Sequence, residues 1–441
     1  MMTKVTDAQA LTASTLDHYD TWEAPAVIDR WKEVRNQAVE TLREANFPEA
    51  RAEEYKFTNF SKALQKHFSV GPATTAGNVT LEDIAPFFIP ELDADRIVLI
   101  NGQYRSDLSV LTDIEGITID RLAHAAEKQT EIFQEVFGQV AHAEVDAFTA
   151  LNTVFATDGA FITVSRNADI ERPIAIYNFV DARQQAAQAY PRVLIHAEQG
   201  SRSQFISSVH TLGDHPSLNA SVTEAWLHAN AEVNLVKVQN DSGDLYHYDH
   251  TEGYQSRDSR FTATTVSLRG TMVRNNLNLV LDDQGIESNM YGLTLLKGNQ
   301  HVDHHTVMDH KKPHCESNEL YKTILDEKST GVFNGKIFVR PDAQKTNAFQ
   351  SNNTILLSDD ATIHAKPQLE IWADDVKCSH GATTGQMDED QLFYLRARGL
   401  GENQAKALLL NAFAKDSLSL IPQDAVRNYL EIQIAERLNA I

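Results

Sequence analysis

The amino-acid sequence predicts a mainly β fold, a strand-built core held between helical regions at either end. Three observations carry this. From about Ala156 to about Thr384 there is no convincing amphipathic helix, only short runs of period-two alternation. Polar turn clusters separate those runs. On both sides of that stretch apolar residues recur at helical spacing. The chain is therefore expected to divide into a mostly helical region with some strands over 1–150, a strand core over 151–385 and a helical region over 386–441.

The elements follow in chain order. Residues 25–46 place Ile28, Trp31, Val34, Val39 and Leu42 at roughly helical spacing, with Pro25 expected in the first turn. Asn101-Gly102, directly after an apolar run, is a two-residue hairpin signal. Helical patterning returns over 122–140. In the core, Leu277, Leu279 and Leu281 form a period-two stripe, as do Thr262, Thr264, Val266 and Leu268, and Ile337 with Val339. Asn240-Asp241-Ser242-Gly243 and Asp282-Asp283-Gln284-Gly285 punctuate it. Strands without helices over such a length mean a sandwich pair, a propeller or a solenoid, and periodicity alone does not choose among them. Toward the end, Asp388 with Gln391 opens a helix and Gly399 closes it. Two more helices follow over 404–415 and 423–438, the last aligning Val426, Tyr429, Leu430, Ile434 and Leu438 on one face.

Composition excludes several functions. The 441 residues carry 61 acidic and 39 basic side chains, a formal net charge of −22. Nucleic-acid binders need a positive footprint to displace counterions, and anionic membranes repel a negative surface. The apolar runs are strand-sized, far below the roughly 20 residues of a membrane span. The amino terminus lacks the apolar stretch of a secretory signal and there are only two cysteines, Cys315 and Cys378, so a cytoplasmic protein with reduced thiols is expected. Two thiols are also too few for this chain alone to hold a cysteine-ligated zinc or iron–sulfur site.

Several motifs suggest chemistry. GVFNGKI, at 331–337, has three residues between its glycines where a phosphate-binding loop has four, and Ile337 replaces the magnesium-binding hydroxyl. It reads as a turn entering a strand, and no nucleotide site is expected. GLGENQ, at 399–404, follows a helix and reads as a helix-to-helix turn. His301, His304, His305, His310 and His314 cluster with Asp303, Asp309 and Cys315, either as metal ligands or as a polar ridge or histidine stack on the β surface. In ADDVKCSHGATTG, an extended backbone puts Cys378 and His380 on one face. That pair reads as a soft-ligand or sulfur-accepting site, with imidazolium lowering the thiol pKa, or as a structural thiol beside a turn histidine. Gly381 after it permits close backbone approach or a positive φ.

Over residues 333–400 the sequence FNGKIFVRPDAQKTNAFQSNNTILLSDDATIHAKPQLEIWADDVKCSHGATTGQMDEDQLFYLRARGL resembles the SufB/SufD family of iron–sulfur cluster assembly proteins, most like its SufD members. EEYKFTNF (53–60), ALNTVFATDGAFITV (150–164) and DHHTVMDHKKPHCESNELYKTIL (303–325) extend the resemblance over most of the chain. Ser351 stands where SufB-like chains typically carry a cysteine, and Ser379-His380-Gly381 where they resemble Glu-His-Glu.

The resemblance implies a right-handed parallel β-helix core with N-terminal and C-terminal helical regions. It implies a non-catalytic subunit that pairs with a SufB-like chain through the β-helix and binds the ATPase SufC through its C-terminal helices. A transient iron–sulfur cluster would form at the SufB–SufD interface, with His380 as the ligand from this side and Cys378 as a neighbouring thiol. Phe393, Tyr394, Arg396 and Arg398 would face SufC, or else serve helix packing. ATP hydrolysis would belong to SufC. The sequence leaves open whether reduced flavin in the complex touches this chain and whether the isolated chain forms a homodimer. Two other readings stand beside this one: a scaffold subunit contributing no ligand, and a β-solenoid enzyme acting on polysaccharides.

Overall fold

The computed structural model describes residues 6–128 and 131–439. Two ten-stranded sheets enclose a common core. The first runs from Gln103–Tyr104 to Lys377–Gly385, the second from Ile117–Arg121 to Thr362–Ile371. From Arg192–Ala197 onward the chain alternates between them, so each strand pairs in parallel with the next-but-one in sequence. Tyr246 lies beside Met272, and Met272 beside His301, steps of 26 and 29 residues. That connectivity is a parallel β-helix, which decides among the three strand architectures left open by periodicity.

Each corner has a local cause. Asp241 accepts hydrogen bonds from the backbone N–H of Thr211 (2.8 Å) and of Gly243 (3.1 Å), so the Asn240–Gly243 cluster closes one turn. At another corner Asn230, Asp258, Gly285, His314 and Lys345 repeat a left-handed backbone rung after rung, with φ between 55° and 74°. Asn101 and Gly102 have φ of 49° and 82°, the two-residue hairpin expected of them.

The strand stripes serve different faces. Leu277, Leu279, Leu281, Ile337 and Val339 fill the lumen. Val266 and Leu268 point outward and are buried under the C-terminal helices Glu402–Leu418 and Asp424–Asn439, against Leu410, Leu430 and Ile434. The opposite sheet is covered by N-terminal helices, where Phe148 and Leu151 pack on Leu218, Ala220 and Tyr248.

Two expectations are corrected. The second helix spans Asp29–Ala45, and residues 25–28 stay non-helical, because Val27 and Ile28 pack against the cluster around Trp31 instead. Over 122–140 the described residues form two short helices, Leu122–Glu127 and Glu131–Val136. The hairpin strand Asp95–Ile100 pairs in parallel with Ile174–Asp181 and so opens the first sheet from within the N-terminal region.

A fully buried ion pair ties the helical cap to the β-helix. Arg192 reaches Glu224 at 2.6 Å, and donates to Asn152 (3.2 Å) and Thr153 (2.8 Å) of the helix Ala147–Phe155. Glu224 in turn accepts from the backbone N–H groups of Gly138, Val140 and Ala141. Replacing Glu224 with Ala would strand a buried guanidinium and three donors. The expected loss is about 3–5 kcal/mol, read by chemical denaturation, and a loss below 1 kcal/mol would mean the pair is dispensable.

Candidate functional site

The strand Lys377–Gly385 closes the first sheet, pairing among the described residues only with Asn347–Leu356, with Cys378 beside Ala348 and His380 beside Gln350. Its sequence is poor in β-branched and aromatic residues, so the neighbouring rung holds it extended more than its own propensity does. Cys378 packs against the lumen core, which defines its face as the inward one. His380, two residues on, shares that face. At this last rung the inward face is open, and His380 is exposed. Among the described residues it makes no hydrogen bond, ion pair or ring contact.

The structure thus brings Cys378 and His380 together on one face at the mouth of the lumen. It corrects two details. Burial pushes the Cys378 thiol up, opposed by a backbone hydrogen bond at Ala348; no lowering by the imidazole appears. Gly381 has no positive φ, and a Cβ there would meet nothing within 4 Å, so neither backbone reason for a glycine applies.

The histidine cluster is not a solvated ridge. Strand His301–His310 splits it by alternation. His304 points into the lumen between Asn275 (3.4 Å) and Thr294 (2.9 Å), and buried His310 contacts Ser317 at 2.9 Å. His301, Asp303 and His305 face the N-terminal segment around Glu54 and Thr58. There Thr58 meets His301 (2.9 Å) and Asp303 (2.5 Å), Arg274 binds Asp303 (2.7 Å), and His305 meets Glu54 (3.3 Å). Phe57 stacks on His364 at 3.9 Å, and Glu53 pairs with Lys366 at 2.5 Å, both on the terminal strand of the second sheet. The cluster is a docking face for the EEYKFTNF segment. Exposed His314 lies apart, in a left-handed corner. Among the described residues no group of three or more His, Cys, Asp or Glu side chains is arranged to hold a metal.

The remaining motifs resolve simply. GVFNGKI lies wholly inside strand Thr330–Val339 and is no turn, since pairing on both sides keeps both glycines extended. Residues 399–401 join two helices, with Gly399 at φ 95°. Buried Cys315 donates to the Asp283 carbonyl at 3.2 Å and is pushed up to about 11 by burial. It is a structural thiol.

At the C-terminal end, Asp388 caps helix Glu389–Ala397 by accepting from the N–H groups of Asp390 (2.9 Å) and Gln391 (3.1 Å). None of that helix is buried, and Phe393 and Tyr394 are 73% and 58% exposed. Arg398 lies over the Tyr394 ring at 5.0 Å and donates to its hydroxyl at 2.9 Å, while Arg396 pairs with Glu402 at 3.6 Å. A helix with no fully buried residue, only Leu392 and Leu395 half-buried, presents an aromatic–arginine face of the kind that anchors partners.

Sequence reasoning missed the apolar residues of the last rungs, Phe349, Ile371 and Trp372, all exposed. It also missed buried Glu319 and Gln350, which align with His380 across neighbouring strands. The signal was present as spacing: 31 residues from Glu319 to Gln350 and 30 more to His380.

A family model described as "SUF system FeS cluster assembly, SufBD core domain" matches residues 179–413, and one described as "SufBD protein N-terminal region" matches 21–176. The chain belongs to the SufBD family. It is 33% identical to the iron-sulfur cluster assembly SufBD family protein slr0076 of Synechocystis, over 90% of this chain and 88% of that one. It is 26% identical to the iron-sulfur cluster assembly protein SufD of Escherichia coli, covering 91% and 92%. Against the chloroplastic protein ABCI7 of Arabidopsis thaliana it is 26% identical, covering 90% and 83%. The resemblance read from residues 333–400 is borne out, as is its β-helix, and this SufBD chain stands close to SufD. Among the described residues no helix is long and apolar enough to cross a membrane.

Two predictions follow from the geometry. The hydrogen bond to His305, with Lys336 nearby, holds Glu54 down at about 2, below its ordinary 4.5. A depressed carboxylate stabilises the fold above its unfolded value and loses that contribution as pH falls from 4.5 toward 2. Glu54→Gln should therefore be less stable than the wild type at pH 7, with the difference narrowing across that acid window in pH-dependent denaturation. Separately, iodoacetamide at neutral pH should alkylate half-buried Cys378 while sparing buried Cys315, as read by peptide mass spectrometry.

Proposed function

We propose that this chain is the SufD-type subunit of a SufB–SufC–SufD assembly, lending His380 to an iron–sulfur cluster whose other ligands come from a SufB-like partner. One observation carries the reading: a lumen-facing imidazole without partners among the described residues sits on the last strand of the first sheet, which is paired on one side. Imidazole is a competent iron ligand, and two donors here are too few to hold a cluster alone. The shortfall supports ligation shared across an interface.

The neighbouring edges suit such an interface. Strands Thr362–Ile371 and Lys377–Gly385 each leave one side unpaired, and Phe349, Ile371 and Trp372 supply exposed apolar surface beside them. An incoming strand can extend either sheet by main-chain hydrogen bonding. Cys378 plays the secondary part. Burial keeps its thiol protonated, and coordination by an arriving metal would displace that proton. The nascent cluster is cargo of the assembly. The exposed face of helix Glu389–Ala397 is the docking site for the SufC ATPase, whose nucleotide chemistry this chain does not share.

The test uses the reconstituted three-protein complex. His380→Ala should leave the complex intact by native mass spectrometry and abolish the cluster's visible absorption. Phe393→Ala with Tyr394→Ala should weaken SufC capture at least tenfold while SufB still binds. Unchanged cluster formation in His380→Ala would favour the ligand-free scaffold reading.

A further inference from the structure

The lumen column beneath His380 changes character along the β-helix. Leu235, Ala263, Met290, Glu319, Gln350 and His380 occupy one register position on successive strands of the first sheet. The first three are buried and apolar. Glu319 and Gln350 are equally buried, yet polar. Gln350 donates through Nε2 to Glu319 Oε2, and this fixes the amide so that its carbonyl oxygen is the atom left over. Gln350 Oε1 is buried with no hydrogen-bond partner among the described residues. The site has been cleared for that amide: a Cβ at Gly335, on the facing sheet, would come within 2.4 Å of Gln350 Nε2. Burial pushes Glu319 up to about 7, opposed by hydrogen bonds from Gln350 and then Thr306.

The geometry points to Gln350 as the positioning residue for His380, its orphaned carbonyl accepting one ring N–H so that the other nitrogen is free for metal, with Glu319 orienting the amide from behind. A ligating histidine needs such a partner to select its tautomer and aim its ring. Gln350 stands directly beside His380, on the same face and about 4.8 Å away across the sheet. It is a buried acceptor paired in register with an exposed donor. This inference rests on the ligand role proposed for His380, and its test separates the two.

The substitution is Gln350→Met, which keeps length and removes the amide, with Glu319→Gln as the conservative partner; circular dichroism confirms that both fold. In the purified chain, carbon-13 shifts of the His380 ring report the tautomer, assigned by difference against His380→Ala. Wild type and Glu319→Gln should show one dominant tautomer, and Gln350→Met a mixture. In the reconstituted complex Gln350→Met should lower cluster formation about tenfold, and should add nothing in the His380→Ala background. An unchanged tautomer in folded Gln350→Met overturns the positioning role, as does an equal loss of cluster in the His380→Ala background. A shifted tautomer with full cluster formation in His380→Ala leaves Gln350 positioning His380 and refutes the ligand reading alone.

Discussion

In-register parallel stacking is the constraint on which this molecule depends. Each strand satisfies its backbone donors and acceptors on the strands one turn before and one turn after, so the β-helix cannot stop without leaving unpaired groups. At the first end it stops by capping: Gln103–Tyr104 and Ile117–Arg121 fold back antiparallel. At the other end Thr362–Ile371 and Lys377–Gly385 close their sheets with one side free. That edge carries Lys366, Pro367 and Lys377. Proline removes a ladder donor and lysine resists indiscriminate pairing, so the edge is open but selective. An edge that is neither capped nor fully blunted is what a partner strand requires.

The N-terminal region braces that same end. Glu53, Glu54, Phe57 and Thr58 lie along the outer face of the second sheet and reach from Arg274 to the terminal strand at His364 and Lys366. Charged groups this close to a core are tolerated because each has partners: Asp303 meets Arg274, His305 and Thr58, and Glu54 meets His305 and Lys336. The terminal strand is thus held from outside by a segment some 300 residues away in sequence, consistent with an edge presented in a fixed place.

What could be read from the sequence was what is local. The Asn101-Gly102 hairpin, the Asp388 cap, the Gly399 stop and the leucine stripe at 277–281 depend on a few neighbouring residues, and all appear as expected. The repeat was hidden because a corner needs a left-handed backbone, which Asn230, Asp258, Gly285, His314 and Lys345 supply with five chemistries at uneven spacing. His301 and His305 were misjudged because their partners lie near residue 54, and His304 and His310 because theirs lie on neighbouring strands of the lumen. Pro25 misled because packing of Val27 and Ile28 outweighed a favourable first-turn geometry. The Cys378–His380 pair was legible as a shared face, but only the register with Gln350 shows what lies behind it.

The polar lumen near the mouth argues for function over stability. Rings of Tyr321 and Phe333, 4.9 Å apart, cross the interior, and Gly292 makes room for the tyrosine, since a Cβ there would lie 2.2 Å from its ring. Glu319 on the strand of Tyr321, and Gln350 and Asn352 on the next, are all buried, with both amide atoms of Asn352 lacking partners among the described residues. An unsatisfied buried polar group costs about 1–3 kcal/mol, and apolar side chains of similar shape would avoid that cost. Leu235 and Ala263 show that the column of Glu319 and Gln350 accepts apolar residues further in, whereas the column of Asn352 holds Thr265 and Lys237 there. In the column of Glu319 and Gln350, folding therefore does not require polarity. In that column polarity enters only with the last rungs, directly behind His380, while elsewhere the lumen holds other buried polar groups such as the Lys237–Asp249 pair.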